Sequence, residues 1–185
     1  QNLIDGLSKK EFILSKFLTV VLFAFISTVF IFVMSLILGL IFSSYTEIGI
    51  IFSDLGYLLA FFVKLTGFFS FCLFLGILVK RSAFALGFLL VWNIIETIIR
   101  GFLAFKVFPG SDIDKKITQF LPLESMSNLI VNPGPRLSLL KNIGSQMGID
   151  TDIDYSVSYF AILIVLVWTF LFIYFSYKLL KNRDL

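Results

Sequence analysis

Residues 17–43 read FLTVVLFAFISTVFIFVMSLILGLIFS, a run without one charged side chain whose polar members are only Ser, Thr and Gly. About 20 such residues, wound as a helix, cross the roughly 30 Å hydrocarbon core of a bilayer. The run is longer than the 7–15 residues of a signal-peptide core, and no small-residue cleavage site follows it. Three more apolar blocks occupy 57–79, 83–105 and 157–177. They are continuous rather than alternating, which selects helices over barrel strands, the other backbone that satisfies its own polar groups in lipid. The expected fold class is therefore all-α: a polytopic membrane protein with four transmembrane helices over 17–43, 57–79, 83–105 and 157–177. Composition agrees, with 58% hydrophobic residues and 24 Phe, well above the apolar share of ordinary soluble domains.

The basic residues give an orientation. Lys9, Lys10 and Lys16 precede the first block, Lys80 and Arg81 fill the turn between the second and third, and Lys178, Lys181 and Arg183 follow the fourth. Threaded in order, all of these fall on one side, which the positive-inside rule places in the cytoplasm together with both termini. The segment 44–56 has no Lys or Arg, and 106–156 contains all four prolines with slightly more acidic than basic residues. Within this external loop, Ile117, Phe120, Leu121, Leu123, Met126, Leu129 and Ile130 recur at roughly helical spacing. They predict a short helix over 117–131, interrupted by Pro122, that either lies on the outer membrane surface or packs as a lid on the helix ends. The pI of 9.0 follows from this topology. No basic patch points to nucleic acid. The single cysteine, Cys72, excludes a disulfide framework.

The segment 1–16 forms a cytoplasmic elbow. Ser8-Lys9-Lys10-Glu11 has the S-x-x-E form of a capping box, so a helix is expected to begin near Lys9 and run straight into the membrane, with Gly6 ending whatever precedes it. Lys9, Lys10 and Lys16 then sit at headgroup level, facing anionic lipid. Gly6-Leu7-Ser8-Lys9-Lys10-Glu11-Phe12-Ile13-Leu14-Ser15-Lys16, followed by a long span, resembles the segment before the third membrane helix of ABC-2 type transporter permeases. The order of the remaining loops and spans is similar to the second half of that family. The resemblance implies four of six spans, with Gln1 internal to a longer protein, a second permease subunit as partner, and a cytoplasmic ABC ATPase touching Leu7, Ser8, Lys9, Lys10, Glu11 and Lys16. It implies ATP-driven transport across the plasma membrane of a bacterium.

The chain has no G-x-x-x-x-G-K-[ST] phosphate loop, so the ATPase is expected in a partner, with no cofactor, metal or catalytic residue in this chain. Polar groups within the spans are the candidate path for a substrate: Asn93, Glu96 and Arg100 on one face of the third helix, and Lys64 in the second. Their structural alternative is an ion pair between Glu96 and Arg100, four residues apart, which locks the helix to a neighbour. Lys64 is placed to snorkel outward or to pair with Glu96. Gly67 and Gly76 in the second span and Ser27, Ser35 and Gly39 in the first are small residues suited to close helix contact. Glu96-x-x-x-Arg100 resembles part of the Glu-Glu-x-x-x-Arg motif of CPBP-type membrane proteases. Neither Ile95 nor Thr97 supplies the second Glu, and the sequence has no histidine. The competing reading is a non-transporting assembly or sensor subunit.

Overall fold

The computed structural model describes residues 8–42, 55–79, 82–109, 113–130 and 156–182, and these are helical without a strand among them. Four long helices carry the fold: α1 (Lys9–Phe42), α2 (Leu55–Val79), α3 (Ser82–Phe102) and, last in the chain, α6 (Tyr159–Lys181). All four are long and apolar enough to cross a membrane. Two short helices, α4 (Ile113–Thr118) and α5 (Pro122–Ser127), lie between α3 and α6. The region expected as one interrupted helix over 117–131 is thus divided by Pro122, which stands at the first position of α5, where its missing N–H costs nothing. A π-helical turn, Leu103–Val107, closes α3 through the Phe108 N–H donated to the Leu103 carbonyl at 2.9 Å. Residues 1–7, 43–54, 80–81, 110–112, 131–155 and 183–185 lie outside the described residues.

The elbow box has the geometry its sequence implies. The Ser8 N–H donates to Glu11 Oε2 at 2.8 Å, and the Glu11 N–H returns to Ser8 Oγ at 3.2 Å. The Ser8 hydroxyl, donating to Glu11 Oε2 at 2.7 Å, and then the Ser8 amide hold the Glu11 carboxyl below its ordinary value. The 34 residues of α1 extend about 51 Å, more than one membrane thickness, so its first turns project beyond the apolar run. Lys9 Nζ lies 3.4 Å from the Lys181 carbonyl, which puts the start of α1 and the end of α6 at one end of the bundle.

The helices are unequal. α2 and α6 form the centre and pack most extensively on each other; α1 lies against both, and α3 packs on α2. The buried face of α2 (Ala60, Val63, Gly67, Phe71) and that of α6 (Ile162, Val165, Thr169, Phe172) both step by three and four residues, the spacing of one helix face. Lipid tails are as apolar as the helices, so close packing rather than the hydrophobic effect must hold this interface. Gly67 is where contact is tightest: a Cβ there would meet Val165 Cγ1 at 2.8 Å and Met126 Cε at 3.2 Å. Gly39 and Gly76 have no such neighbour. Phe71 ties three helices, with its ring centroid 4.8 Å from Phe172 of α6 and 5.9 Å from Trp92 of α3.

Candidate functional site

The charged residues of the spans converge on α5. A helix start leaves its first N–H groups without intrahelical partners, and they are ordinarily met by a Ser, Thr, Asp or Asn at the N-cap. Here the N-cap is Leu121, which has no side-chain acceptor. Glu96 of α3 takes its place from another helix. The Leu123 N–H donates to Glu96 Oε1 at 3.1 Å and the Glu124 N–H to Oε2 at 2.9 Å. Pro122 has no N–H to satisfy, and the Ser125 N–H already reaches the Leu121 carbonyl at 2.8 Å. Trp92, one turn below on α3, donates its indole N–H to Glu96 Oε1 at 2.6 Å. Glu96 is only 5% exposed, and both its oxygens are occupied.

The other charges complete the clamp. Arg100 Nη1 lies 3.1 and 3.2 Å from the two carboxylate oxygens of Glu124, which also accepts from Asn128 Nδ2 at 3.1 Å. Lys64 Nζ of α2 reaches the Ser127 carbonyl at the last turn of α5, at 3.3 Å. Trp168 of α6 donates to the Phe120 carbonyl at 2.9 Å, just before α5 begins. An anion at the N-terminus of α5 and a cation at its C-terminus match the sign of the helix dipole. Met126 and Leu129 bury themselves between α2 and α6, whereas Ile117 and Phe120 stay exposed. The segment therefore packs as a lid on the helix ends. Beside the clamp opens a cleft of about 920 Å³ lined by Lys64, Thr97, Arg100, Asp114, Lys115 and Glu124, among others.

Two expected pairings are corrected. Arg100 does not pair with Glu96 but with Glu124, because the carboxylate one turn away on α3 turns instead to the bare amides of α5. Lys64 neither snorkels freely nor pairs with Glu96; it binds a carbonyl. Asn93 stands apart from the group, exposed on α3, and its side-chain amide has no partner among the described residues. Trp92, Trp168 and Glu124 were not marked as site residues by sequence reasoning. The usable signal was a Pro-Leu-Glu helix start whose N-cap position is leucine. At the elbow, Lys16 Nζ sits 5.6 Å from the Phe12 ring centroid, Lys10 is exposed, and Leu7 lies outside the described residues. Among the described residues, no group of three His, Cys, Asp or Glu is arranged to hold a metal ion.

A family profile matches residues 2–185, essentially the whole chain. The chain belongs to the DUF2705 family. That family is described as proteins of unknown function, and this match overturns the ABC-2 permease resemblance, which rested on one short motif and the order of spans. Capping boxes arise wherever a helix must start cleanly, so Ser8-Lys9-Lys10-Glu11 identified a helix start and not a family. No curated protein and no solved structure matches this DUF2705 chain.

Proposed function

We propose that this DUF2705 protein is a non-catalytic, membrane-embedded subunit of a larger assembly, holding a rigid charged cap at the membrane face opposite its termini. The supporting observation is the saturation of Glu96. A carboxylate that accepts three hydrogen bonds while buried is engaged in fixing structure and is poorly placed to hand on a proton or an ion. Lys64 and Arg100 are committed to the same cap. The candidate path thus reads as a clamp, and this favours an assembly role over transport through the bundle. Lys9, Lys10 and Lys16 near the start of α1 and Lys178 and Lys181 near the end of α6 support a cytoplasmic placement of that end in a plasma membrane. The capping-boxed start of α1 is then available to cytoplasmic partners and the cleft to external ones.

Intact-complex mass spectrometry of the full chain, extracted from its native membrane in polymer-bounded nanodiscs, tests the proposal. The expected result is a complex with a second protein species in fixed ratio. A chain found only alone or with copies of itself overturns it.

A further inference from the structure

We propose that α3 is the contact helix of a homodimer, with Asn93 of each copy hydrogen-bonded to Asn93 of the other at the middle of the membrane. The inference rests on the membrane-embedded reading but not on any second protein species.

The observation behind it is an amide in the wrong solvent. Asn93 lies eleven residues beyond the start of α3 at Ser82, about 16 Å along the axis and hence close to the midplane of a roughly 30 Å core. Its side chain is exposed and makes no hydrogen bond among the described residues. Hydrocarbon offers it none, and an unpaired polar group there is costly. The hydroxyls of Thr19, Thr28, Thr66, Ser70, Thr97 and Thr169 escape that cost by donating to carbonyls four residues back on their own helices, between 2.7 and 2.9 Å. Asn93 has no such bond. Something must cover it.

What covers it is indicated by the residues around it. Leu86, Leu90, Asn93, Thr97, Arg100 and Ala104 are spaced 4-3-4-3-4, the interval of an a/d seam in which one helix interlocks with another. Leu86 and Leu90 are 66% and 63% exposed. The face that packs on the core is a different one, Ala85, Leu89, Trp92 and Glu96. Arg100, toward the outer end of the seam, reaches Glu124 of α5, and below it Leu86, Leu90 and Asn93 are left exposed by the bundle.

A second copy fits this seam better than an unrelated helix. Two copies inserted the same way are related by a two-fold axis along the membrane normal, so their α3 helices run parallel and every residue meets its own counterpart at its own depth. Leu meets Leu at 86 and 90. Asn93 meets Asn93, and a carboxamide is both donor and acceptor, hence self-complementary. Arg100 does not oppose the pairing as a bare charge, because Glu124 neutralises it within each chain. A single polar pair in an apolar seam also fixes register and orientation.

Cysteine cross-linking of the full chain in native membranes tests this, in a Cys72→Ala background. Under oxidation, Leu90→Cys, Asn93→Cys and Thr97→Cys should give covalent homodimers, and Ile95→Cys, equally apolar in setting but on the far face, should not. In reconstituted bilayers, Asn93→Ala should weaken dimerisation about tenfold, with unchanged amide protection of 113–130 showing that the fold is intact. Equal cross-linking at 93 and 95, none at any position, or a covalent adduct with a different protein overturns the homodimer. Alkaline carbonate extraction separates the two failures: a chain that stays in the pellet but forms no dimer refutes only this inference, and a chain released from the membrane refutes the reading beneath it.

Discussion

Replacing Glu96 by alanine should release the cap while leaving the four-helix bundle in place. The substitution strips the acceptor from three donors at once, the Trp92 indole and the Leu123 and Glu124 amides. The site is 95% covered, so water replaces the carboxylate poorly. An orphaned buried donor costs about 1–3 kcal/mol. Taking the low end for each of the three gives about 3 kcal/mol on the opening of α5, or on the order of a hundredfold in the closed-to-open ratio. Hydrogen exchange in nanodiscs reads that ratio directly as protection over 118–130. Glu96→Gln is not neutral on this argument. One of the two oxygens becomes an NH₂ that faces a backbone N–H, so protection should fall by about tenfold, one lost bond's worth. Arg100→Gln is the internal comparison: its ion pair is half exposed, with Arg100 at 51%, and such pairs contribute about 1 kcal/mol or less. Its effect should stay below about fivefold. If Glu96→Ala leaves protection unchanged, or if Arg100→Gln costs as much, the cross-helix cap is not what holds α5.

Two further predictions test the bundle and the elbow. Gly67→Ala places a methyl 2.8 Å from Val165 Cγ1, a stiff β-branched neighbour, so α2 and α6 must separate; the expected cost is about 1–3 kcal/mol in a reversible unfolding titration, against little effect for Gly76→Ala, where the space is open. The Glu11 carboxyl is held below the ordinary value of 4.5 by the Ser8 hydroxyl and amide. Its contribution to the start of α1 is therefore fully present above that value and lost as the pH falls through its lower, folded value. Amide exchange at the first turn of α1 should rise over that acidic window in the wild type and be already raised, and flat with pH, in Glu11→Ala.

The long helices were legible because lipid demands one thing of a segment, continuous apolar length, and 17–43, 57–79, 83–105 and 157–177 supply it. Ser8-x-x-Glu11 was legible because a capping box is local, with every partner within three residues. The clamp was not, because the bonds that join its helices link residues 24 to 63 apart, from Arg100 with Glu124 to Lys64 with Ser127. Periodicity and i,i+4 rules see only one helix at a time. They offered Arg100 to Glu96 as a partner since nothing nearer was charged. The family was misread for a related reason: a short polar motif before a span solves a physical problem common to many membrane proteins.

Why Glu96 forgoes the arginine one turn away follows from what each partner would lose. An i,i+4 ion pair stabilises a helix by about 0.2–0.5 kcal/mol. The first-turn amides of α5 have no N-cap of their own, and leaving them bare and buried costs several times that. The carboxylate goes where the cost of absence is greatest. Arg100 is then left to offset Glu124, which would otherwise place a second negative charge beside the first. α5 has six residues, too few to be stable alone, so it exists because α3 caps its start and α2 binds its end. The dependence also runs the other way. With Glu96 fixed to one terminus of α5, Lys64 to the other and Trp168 to Phe120 two residues ahead of it, α3 cannot slide or tilt against α2 and α6 without breaking a bond to the cap. The short helix is thus a brace between three spans. A ligand that enters the adjacent cleft and draws Arg100 or Lys64 away would loosen that brace.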